Sequence, residues 1–245
     1  MKRLLDCVVA AAVLALLAPL LLLLMLLVWA QDFRSPFYIA ERVGLNGRPF
    51  CMVKMRSMVV GADRSGVTST AGDDQRITAV GRFIRAFKID EVVQLWNVLA
   101  GDMSLVGPRP NVWRWGVELY TLEEQRLLSV RPGITDFASI VFADEGAILH
   151  GAASADLAYN QLIRPGKSRL GLFYVDHRSA WLDLRLIAAT GLAIVARPLA
   201  LRWVVVMLRE LGAEESLCKI AARREPLVPA PPPGAQSVIG ARETI

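Results

Sequence analysis

An adjacent pair of carboxylates, Asp90 and Glu91, is the part of the sequence best suited to chemistry on phosphate groups. Four arginines lie near this pair along the chain: Arg76, Arg82, Arg85 and Arg109. Phosphoryl transfer uses one carboxylate as nucleophile or base, another as a ligand of Mg²⁺, and guanidinium groups on the phosphate oxygens. A capped helix N-terminus beside surface salt bridges has the same composition, so the residues alone leave both interpretations open.

Two further features could bind anions. Lys54 and Arg56 alternate with Met55 in an extended run, which places both cations on one face of a strand. Arg109 stands between Pro108 and Pro110, and a stiff backbone lowers the entropy that an arginine loses when it binds an anion. A solvated strand face and a plain turn are the alternatives.

The elements that would position these residues follow from periodicity and turn signals. Residues 37–60 are predicted to be extended with a turn at 44–47, and residues 61–75 form a polar loop. Helices are predicted at 78–87, 90–100, 113–128, 155–164 and 180–209, and residues 103–112 read as a stiff extended loop. In the first helix we expect an apolar stripe to face the core: Val80, Phe83, Ile84 and Phe87. Asp90 is expected to cap the second helix, which Gly101 ends.

The apolar run Leu4–Trp29 is the predicted membrane segment. Pro19 lies in its middle and should kink a helix, which would leave two arms that are each too short to span the ~30 Å hydrocarbon core. Basic residues flank both ends of the run, so the positive-inside rule gives no clear orientation. The residues therefore leave a spanning helix and a re-entrant helix equally open.

A second apolar stretch, Leu186–Leu208, contains Arg197, Pro198 and Arg202, and an interfacial helix is the favoured interpretation. The proline-rich residues 222–245 are predicted to be a disordered tail.

Composition limits the class of protein. The chain has 245 residues, 54% of them hydrophobic, and a net charge of +5, which excludes a disordered chain, a collagen and a polytopic transporter. Three scattered cysteines and two histidines argue against a disulfide framework and a zinc site. The positive charge fits anionic lipids or phosphate-bearing substrates, and no nucleic-acid-binding motif is present.

One long ungapped region carries a family likeness. Its segments read Asp74–Thr78 (DQRIT), Gly81–Arg85 (GRFIR), Ile89–Glu91 (IDE), Gln94–Leu99 (QLWNVL) and Gly101–Pro110 (GDMSLVGPRP). Lys54–Met58, Arg131–Thr135 and Trp181–Arg185 extend the likeness in both directions. The chain thus resembles the bacterial sugar transferases, the monotopic phosphoglycosyl transferases, over about residues 1–200.

The resemblance implies a reaction in two steps. Sugar 1-phosphate would pass from a UDP-sugar to undecaprenyl phosphate, with release of UMP and with a covalent aspartyl intermediate on Asp90. Glu91 would help to hold Mg²⁺, which is the implied cofactor. The implied context is the priming of exopolysaccharide, O-antigen, capsule or glycoprotein glycans. The other substrate-binding positions taken from the pattern or from charge are Lys54, Arg56, Arg76, Arg82, Arg85, Arg109, Arg131 and Asp183.

The expected fold class is α+β and mostly helical. It has a re-entrant helix over residues 1–30 that is kinked at Pro19, a cytoplasmic catalytic domain over 31–209 with interfacial amphipathic helices, and a tail over 210–245. The resemblance places it on the inner face of the bacterial cytoplasmic membrane, among inner-leaflet lipids, and leaves the oligomeric state open with a dimer as one option.

The sequence also departs from the family pattern. Ala18 precedes Pro19 where a serine is common, and Val92-Val93 follows Asp90-Glu91 where the pattern has Leu-Pro. Asp136 replaces a glycine, and Phe142–Glu145 (FADE) stands where a phosphate-contacting arginine is expected. A membrane-anchored scaffold that has lost catalysis is therefore the alternative, and the sugar is left open, with loops near 61–72 and 136–152 as the expected determinants.

Overall fold

A computed structural model describes residues 2–62, 74–114 and 116–240. The described chain is mostly helical with two small sheets, as the sequence predicts. The helices are α1 Lys2–Ala30, α2 Ala79–Ala86, α3 Ile89–Val92, α4 Leu95–Ala100, α5 Phe137–Val141, α6 Glu145–Ile148, α7 Ala155–Ala158, α8 Arg164–His177, α9 Ala180–Glu210 and α10 Glu215–Ala222. The strands are β1 Phe37–Val43, β2 Pro49–Met55, β3 Ser104–Val106 and β4 Gly133–Thr135. The predicted loop at 61–75 lies largely outside the described residues.

Helix α1 continues without a break through Pro19. Its N-terminal end is fastened to the domain, because Arg3 donates to the Leu99 carbonyl (2.9 Å) and Asp6 accepts from the Ser104 hydroxyl (2.8 Å). Its C-terminal end is fastened too, because Arg56 donates to the Val28 carbonyl at 3.3 Å. One face of α1 packs along the domain, and the opposite face exposes large apolar side chains: Leu4, Val8, Leu16, Leu22, Leu23 and Leu26.

The antiparallel pair β1–β2 forms the predicted extended region. Its register runs from Phe37 opposite Met55 to Val43 opposite Pro49, and the turn between the strands uses Asn46 at φ 56°. The Asn97 side chain joins α4 to β2, since it accepts from the Val53 amide (2.9 Å) and donates to the Cys51 carbonyl (2.7 Å).

Helix α2 occupies the predicted position, but the expectation for its buried face was partly wrong. Ile84 is fully buried, whereas Phe83 and Phe87 are about half exposed and pack on each other. The reason is Gly81, whose Cα approaches the Ser57 backbone so closely that an added Cβ would lie 1.9 Å from the Ser57 carbonyl oxygen. This contact turns the Gly81–Ile84 side of the short helix inward.

The predicted helix over 90–100 is divided into α3 and α4. The Gln94 amide bonds to the Glu91 carbonyl, three residues back, so a tighter turn separates the two helices. Asp90 is not the N-cap: Lys88 holds that position with φ 56°, and Asp90 lies within the first turn of α3. Gly101 ends α4 at φ 98°, as predicted.

The predicted loop at 103–112 begins with a strand. β3 pairs in parallel with β4, and Gly107 and Gly133 cross at the end of this pairing. The predicted helix at 113–128 is wrong: the described residues form two 3₁₀ turns, Val117–Leu119 and Glu124–Ser129.

The helix predicted at 155–164 begins as expected but extends much further. After α7 the chain makes a π-helical turn, Tyr159–Ile163, and continues directly into α8. The main core lies where α5, α8, α9 and α10 meet, around Phe137, Leu170 and Tyr174. A smaller core under α1 joins Leu24, Met55 and Ile84.

Helix α9 folds back on itself. Ala196 has φ −147° and ψ 64°, two residues before Pro198. The Arg185 guanidinium lies 2.6 Å from the Glu210 carboxylate. In a straight helix their Cα atoms would be about 37 Å apart, so the two arms on either side of Ala196 form a hairpin. The predicted single helix at 180–209 is thus two helices.

Two described helices, α1 and α9, are long and apolar enough to cross a membrane by length and composition. The fold-back at Ala196 leaves arms of about 24 Å and about 21 Å in α9, both less than the ~30 Å hydrocarbon core. The number of residues in α9 therefore overstates the distance that this helix can cross in a membrane. This geometry is in line with the expectation that α9 does not span the bilayer.

The described part of the tail makes contacts with the domain. α10 packs on α9, and residues 223–240 follow the surface of the domain. Arg169 donates to the Pro231 carbonyl (2.9 Å), Gln161 to the Ile239 carbonyl (2.7 Å), and the Ala230 amide to the Gln161 carbonyl (3.1 Å). The prolines keep this segment extended, which lets its carbonyls accept bonds from α8 and the turn before it.

The Gly107–Gly133 crossing generates a prediction about stability. A Cβ at Gly133 would lie 2.1 Å from the Gly107 nitrogen, so Gly133→Ala must push β3 and β4 apart. We expect a loss of about 1–3 kcal/mol in the free energy of unfolding, measured as a lower thermal midpoint in detergent.

The matched control is Gly191→Ala on the exposed side of α9, where an added Cβ has nothing within 4 Å. This change should raise stability slightly, because alanine loses less backbone entropy than glycine in a helix. Equal midpoints for the two variants would contradict the close crossing.

Candidate active site

A cleft of about 1240 Å³ lies between β2, α3, the Pro108–Val112 loop and the wall formed by α5, α6 and α8. It is lined by most of the predicted site residues: Lys54, Arg56, Arg76, Arg85, Asp90, Glu91 and Arg109. Cations from four separate segments therefore surround the carboxylate pair, which is the arrangement that an anionic ligand requires.

Asp90 is buried, with 7% of its surface exposed, in the single turn of α3. Burial and the neighbouring charge of Glu91 raise the pKa of Asp90, while Lys54, Arg85 and Arg109 oppose that shift. The carboxylate is thus poorly hydrated but faces several cations, which favours attack on a phosphorus atom once the phosphate charge is neutralised.

Glu91 is held by Arg109 in a two-bond ion pair. One bond, from Nη1 to Oε2, is 2.9 Å long, and Lys54 Nζ lies 3.8 Å from Oε1. Burial alone would raise the pKa of Glu91, but Arg109 and Lys54 hold it well below its usual range. Glu91 therefore stays ionised, and in turn it raises the pKa of Arg109.

Lys54 projects from β2 toward the same carboxylates and keeps only 19% of its side chain exposed. Burial, and then the positive charge of Arg109, lower the pKa of Lys54 to about 8, although Glu91 and Asp90 act in the opposite direction. Lys54 is therefore a cation at neutral pH that loses its charge in mildly alkaline solution.

Arg56 and Arg76 line the cleft but are engaged by the protein. Arg56 binds both carboxylate oxygens of Asp32 and fastens the end of α1. Arg76 binds Asp74 and donates to the Ala62 carbonyl at 2.8 Å. The side chains of Arg56 and Arg76 form part of the rim of the cleft. Of the two residues in the predicted phosphate clamp, Lys54 and Arg56, only Lys54 is directed at the carboxylate pair.

Three predicted residues lie outside the cleft. Arg82 is on the exposed side of α2, and exposed Arg131 donates to the Gly101 carbonyl at 2.9 Å. Asp183 is buried at the start of α9, where it accepts from the Tyr174 hydroxyl (2.7 Å) and pairs with Lys2. In this arrangement Asp183 fastens α1, α8 and α9 together.

Sequence reasoning missed three side chains in the far wall of the cleft: Glu145, Tyr159 and Lys167. Glu145 pairs with Lys167, whose ammonium group lies 5.2 Å from the centre of the Tyr159 ring. The only sequence signal was the FADE segment at 142–145, which departs from the family pattern. Asp136, the other departure, is buried and caps α5 by accepting from the Ser139 amide and hydroxyl, each at 2.7 Å.

Two carboxylates are available for the expected magnesium ion. Among the residues that the structure describes, no three His, Cys, Asp or Glu side chains converge on one point. Mg²⁺ needs no such cage, because it keeps several waters and binds through one or two carboxylates together with phosphate groups. Asp90 and Glu91 could supply these carboxylates, with the oxygens of Glu91 shared between the metal and Arg109.

The chain is similar to known proteins over most of its length. The family model described as bacterial sugar transferase matches residues 1–197. The uncharacterized sugar transferase EpsL of Bacillus subtilis is 35% identical over 190 residues, which cover 78% of this chain and 85% of the relative.

Two relatives carry the name UDP-glucose:undecaprenyl-phosphate glucose-1-phosphate transferase. The protein of Caulobacter vibrioides is 35% identical over 192 residues, which cover 77% of this chain and 67% of the relative. The protein of Escherichia coli is 31% identical over 192 residues, which cover 78% of this chain but only 39% of the relative. The chain thus spans well under half of that longer relative.

The pKa of Lys54 provides a test of the cleft's electrostatics. Removing the Arg109 charge in Arg109→Gln takes away a like charge and frees Glu91 to pair with Lys54. Both effects should move the pKa of Lys54 upward from about 8. An NMR titration of chain labelled at lysine ¹³Cε would measure the shift.

The control is Arg131→Gln, which removes an arginine outside the cleft. Arg131→Gln should leave the pKa of Lys54 unchanged. An unchanged pKa in Arg109→Gln would show that Arg109 and Glu91 do not set the charge of Lys54.

Proposed function

Because this chain belongs to the bacterial sugar transferase family, we propose that it transfers a sugar 1-phosphate from a UDP-sugar to undecaprenyl phosphate and releases UMP. The names of the relatives from C. vibrioides and E. coli support both substrates. The observation that carries the proposal is the buried Asp90 beside the Glu91–Arg109 ion pair, in a cleft lined with cations. An intact carboxylate pair also favours catalysis over the alternative of a scaffold.

The first step uses Asp90 as the nucleophile. An oxygen of the Asp90 carboxylate forms a bond to the sugar-bearing phosphorus. The bond from that phosphorus to the oxygen that it shares with the other phosphate of UDP breaks. The electron pair leaves with UMP, and the sugar phosphate stays on Asp90 as an acyl phosphate. Lys54, Arg85 and Arg109 surround the carboxylates and offset the charge that gathers on the phosphate oxygens.

The second step regenerates the enzyme. A phosphate oxygen of undecaprenyl phosphate bonds to the same phosphorus, and the bond to the Asp90 oxygen breaks. The products are undecaprenyl diphosphate sugar and a free Asp90 carboxylate, so no water is consumed. Glu91 would hold Mg²⁺, which when bound neutralises charge as two anionic substrates meet.

We place the cleft at the cytoplasmic face of the inner membrane, with α1 as a re-entrant helix. Contacts at both ends of α1 support this topology, since Arg3 and Val28 bond to the same domain. A helix that crossed the bilayer would carry one end away from that domain. The exposed apolar face of α1 and the short arms of α9 supply surfaces that suit insertion into the inner leaflet.

The reaction has a direct test. Purified protein with Mg²⁺, undecaprenyl phosphate and a panel of UDP-sugars should release UMP with at least one sugar, and Asp90→Asn should lower the rate by at least about 10³-fold. With radiolabelled UDP-sugar and no lipid acceptor, wild-type protein should retain about one labelled sugar phosphate per chain.

The matched control is Glu215→Gln, which removes an exposed carboxylate that pairs with Arg209 away from the cleft. It should release UMP at the wild-type rate. No release with any sugar, or full release by Asp90→Asn, would refute the proposed reaction, and release without label on the protein would refute the aspartyl intermediate.

The topology has a separate test. Single cysteines placed ahead of Lys2 and at Arg34, in a chain whose Cys7, Cys51 and Cys218 are replaced, should react alike with a membrane-impermeant maleimide. Both should be protected in spheroplasts and labelled in inverted vesicles. Labelling from opposite sides would identify α1 as a spanning helix.

A further inference from the structure

The far wall of the cleft carries an ion pair that the reaction above does not use. Glu145 opens α6 and pairs with Lys167 on α8. Both side chains line the cleft, with 33% and 16% of their surfaces exposed. The Tyr159 ring lies against the Lys167 ammonium, so a carboxylate, an ammonium and an aromatic ring face the same space.

This wall is held rigid by its surroundings. Asp144, the residue before Glu145, pairs with Arg197 at 2.7 Å and with Arg223 at 3.2 Å. Arg197 also donates to the Val141 carbonyl at 3.0 Å. Gly166 lets the Phe142 ring approach α8, because an added Cβ would lie 2.6 Å from that ring. The positions of Glu145 and Lys167 are therefore fixed before any ligand arrives, as selective recognition requires.

The chemistry of the pair differs from that of the opposite wall. Lys54, Arg85 and Arg109 form a cationic surface that suits phosphates. The Glu145–Lys167 pair has no net charge, and a carboxylate would repel a phosphate. Acceptors and donors that project together beside an aromatic ring suit a neutral ligand with several hydroxyl groups.

The position of the pair agrees with a ligand attached to the reacting phosphate. Glu145 lines the same cleft as Asp90 and Arg109. Arg109 binds Glu91, and Lys88 directly precedes α3, which carries Asp90. A group bonded to a phosphate at Asp90 would thus share the cleft with Glu145 and Lys167.

We infer that Glu145 and Lys167 bind the hydroxyl groups of the donor hexose and so select the sugar that is transferred. The inference rests on the proposed function, because it places a UDP-hexose in the cleft. The carboxylate accepts from sugar hydroxyls and the ammonium donates to them, while the phosphates lie against the cationic wall. A sugar that lacks one of these hydroxyls forms fewer hydrogen bonds with the ion pair, which weakens its binding.

The test measures binding rather than turnover. Full-length protein in nanodiscs carries Asp90→Asn, so that no covalent intermediate forms, and is titrated by calorimetry with UDP and with four UDP-hexoses: UDP-glucose, UDP-galactose, UDP-N-acetylglucosamine and UDP-N-acetylgalactosamine. For the hexose that this protein binds most tightly, adding Glu145→Gln should weaken binding about 10- to 100-fold. Affinity for UDP should stay within about twofold, because UDP lacks the sugar.

Two further variants distinguish a loss of sugar contacts from a loss of folding. Lys167→Met should give the same pattern, and the double variant Glu145→Gln with Lys167→Met leaves no unpaired charge in the wall. Glu215→Gln, which breaks an exposed ion pair elsewhere, should change neither affinity. A loss that comes only from disturbed folding would lower the affinity for UDP and for the UDP-hexose together.

The outcomes separate this inference from the proposed function. Equal losses for UDP and the UDP-hexose would assign the pair to nucleotide binding or to the fold, and no loss for either would remove it from the site; both overturn the inference. A UDP-hexose that binds the Asp90→Asn protein while the wild type releases no UMP would overturn the reaction alone. Failure of all four UDP-hexoses to bind would overturn both.

Discussion

The ion pair between Glu91 and Arg109 is the interaction on which the geometry of the cleft depends. It joins α3 to the Pro108–Pro110 segment. The conformation of the backbone next to each of these two segments determines where Glu91 and Arg109 lie. Lys88 takes a left-handed conformation just before α3, and the Gly107–Gly133 crossing sets the direction in which Pro108 leaves β3. Because Glu91 keeps only 16% of its side chain exposed and Arg109 about a third, either one left alone would be a poorly hydrated charge without its partner, so the pair keeps the two segments together. Asp90 is positioned as a consequence, between a carboxylate that stays ionised and the cations that face it.

The sequence predicted those parts of this arrangement that depend on local signals. The extended run at 37–60, the position of α2 and the end of α4 follow from turn signals, from apolar periodicity and from Gly101. The predicted site residues between Lys54 and Arg109, apart from Arg82, also line one cleft in the structure. Local signals could not reveal the fold-back of α9, because the Arg185–Glu210 contact joins residues that a regular helix would keep far apart. They could not reveal Glu145 with Lys167 either, since that pair forms only when α6 packs on α8.

Charge type alone was a poor guide to the role of each arginine and aspartate. Arg56 and Asp183 have the composition of ligand-binding residues, yet both are used to fasten α1 to the domain, at its C-terminal and N-terminal ends respectively. A cation or carboxylate that is buried needs a partner, and the fold supplies one from wherever the chain passes. The predicted tail shows the same effect with neutral groups, because the carbonyls of a proline-rich segment accept bonds from Arg169 and Gln161.

The attachment of α1 at both ends has a consequence for the lipid environment. A spanning helix must match its apolar length to the thickness of the bilayer, and it tilts or distorts the lipids when the two differ. In the proposed re-entrant topology neither end of α1 lies in the opposite leaflet, so no such match is required. The height of Asp90 above the lipid headgroups is then set by the protein itself, and bilayers of different acyl-chain length would present their lipid phosphates to the same site.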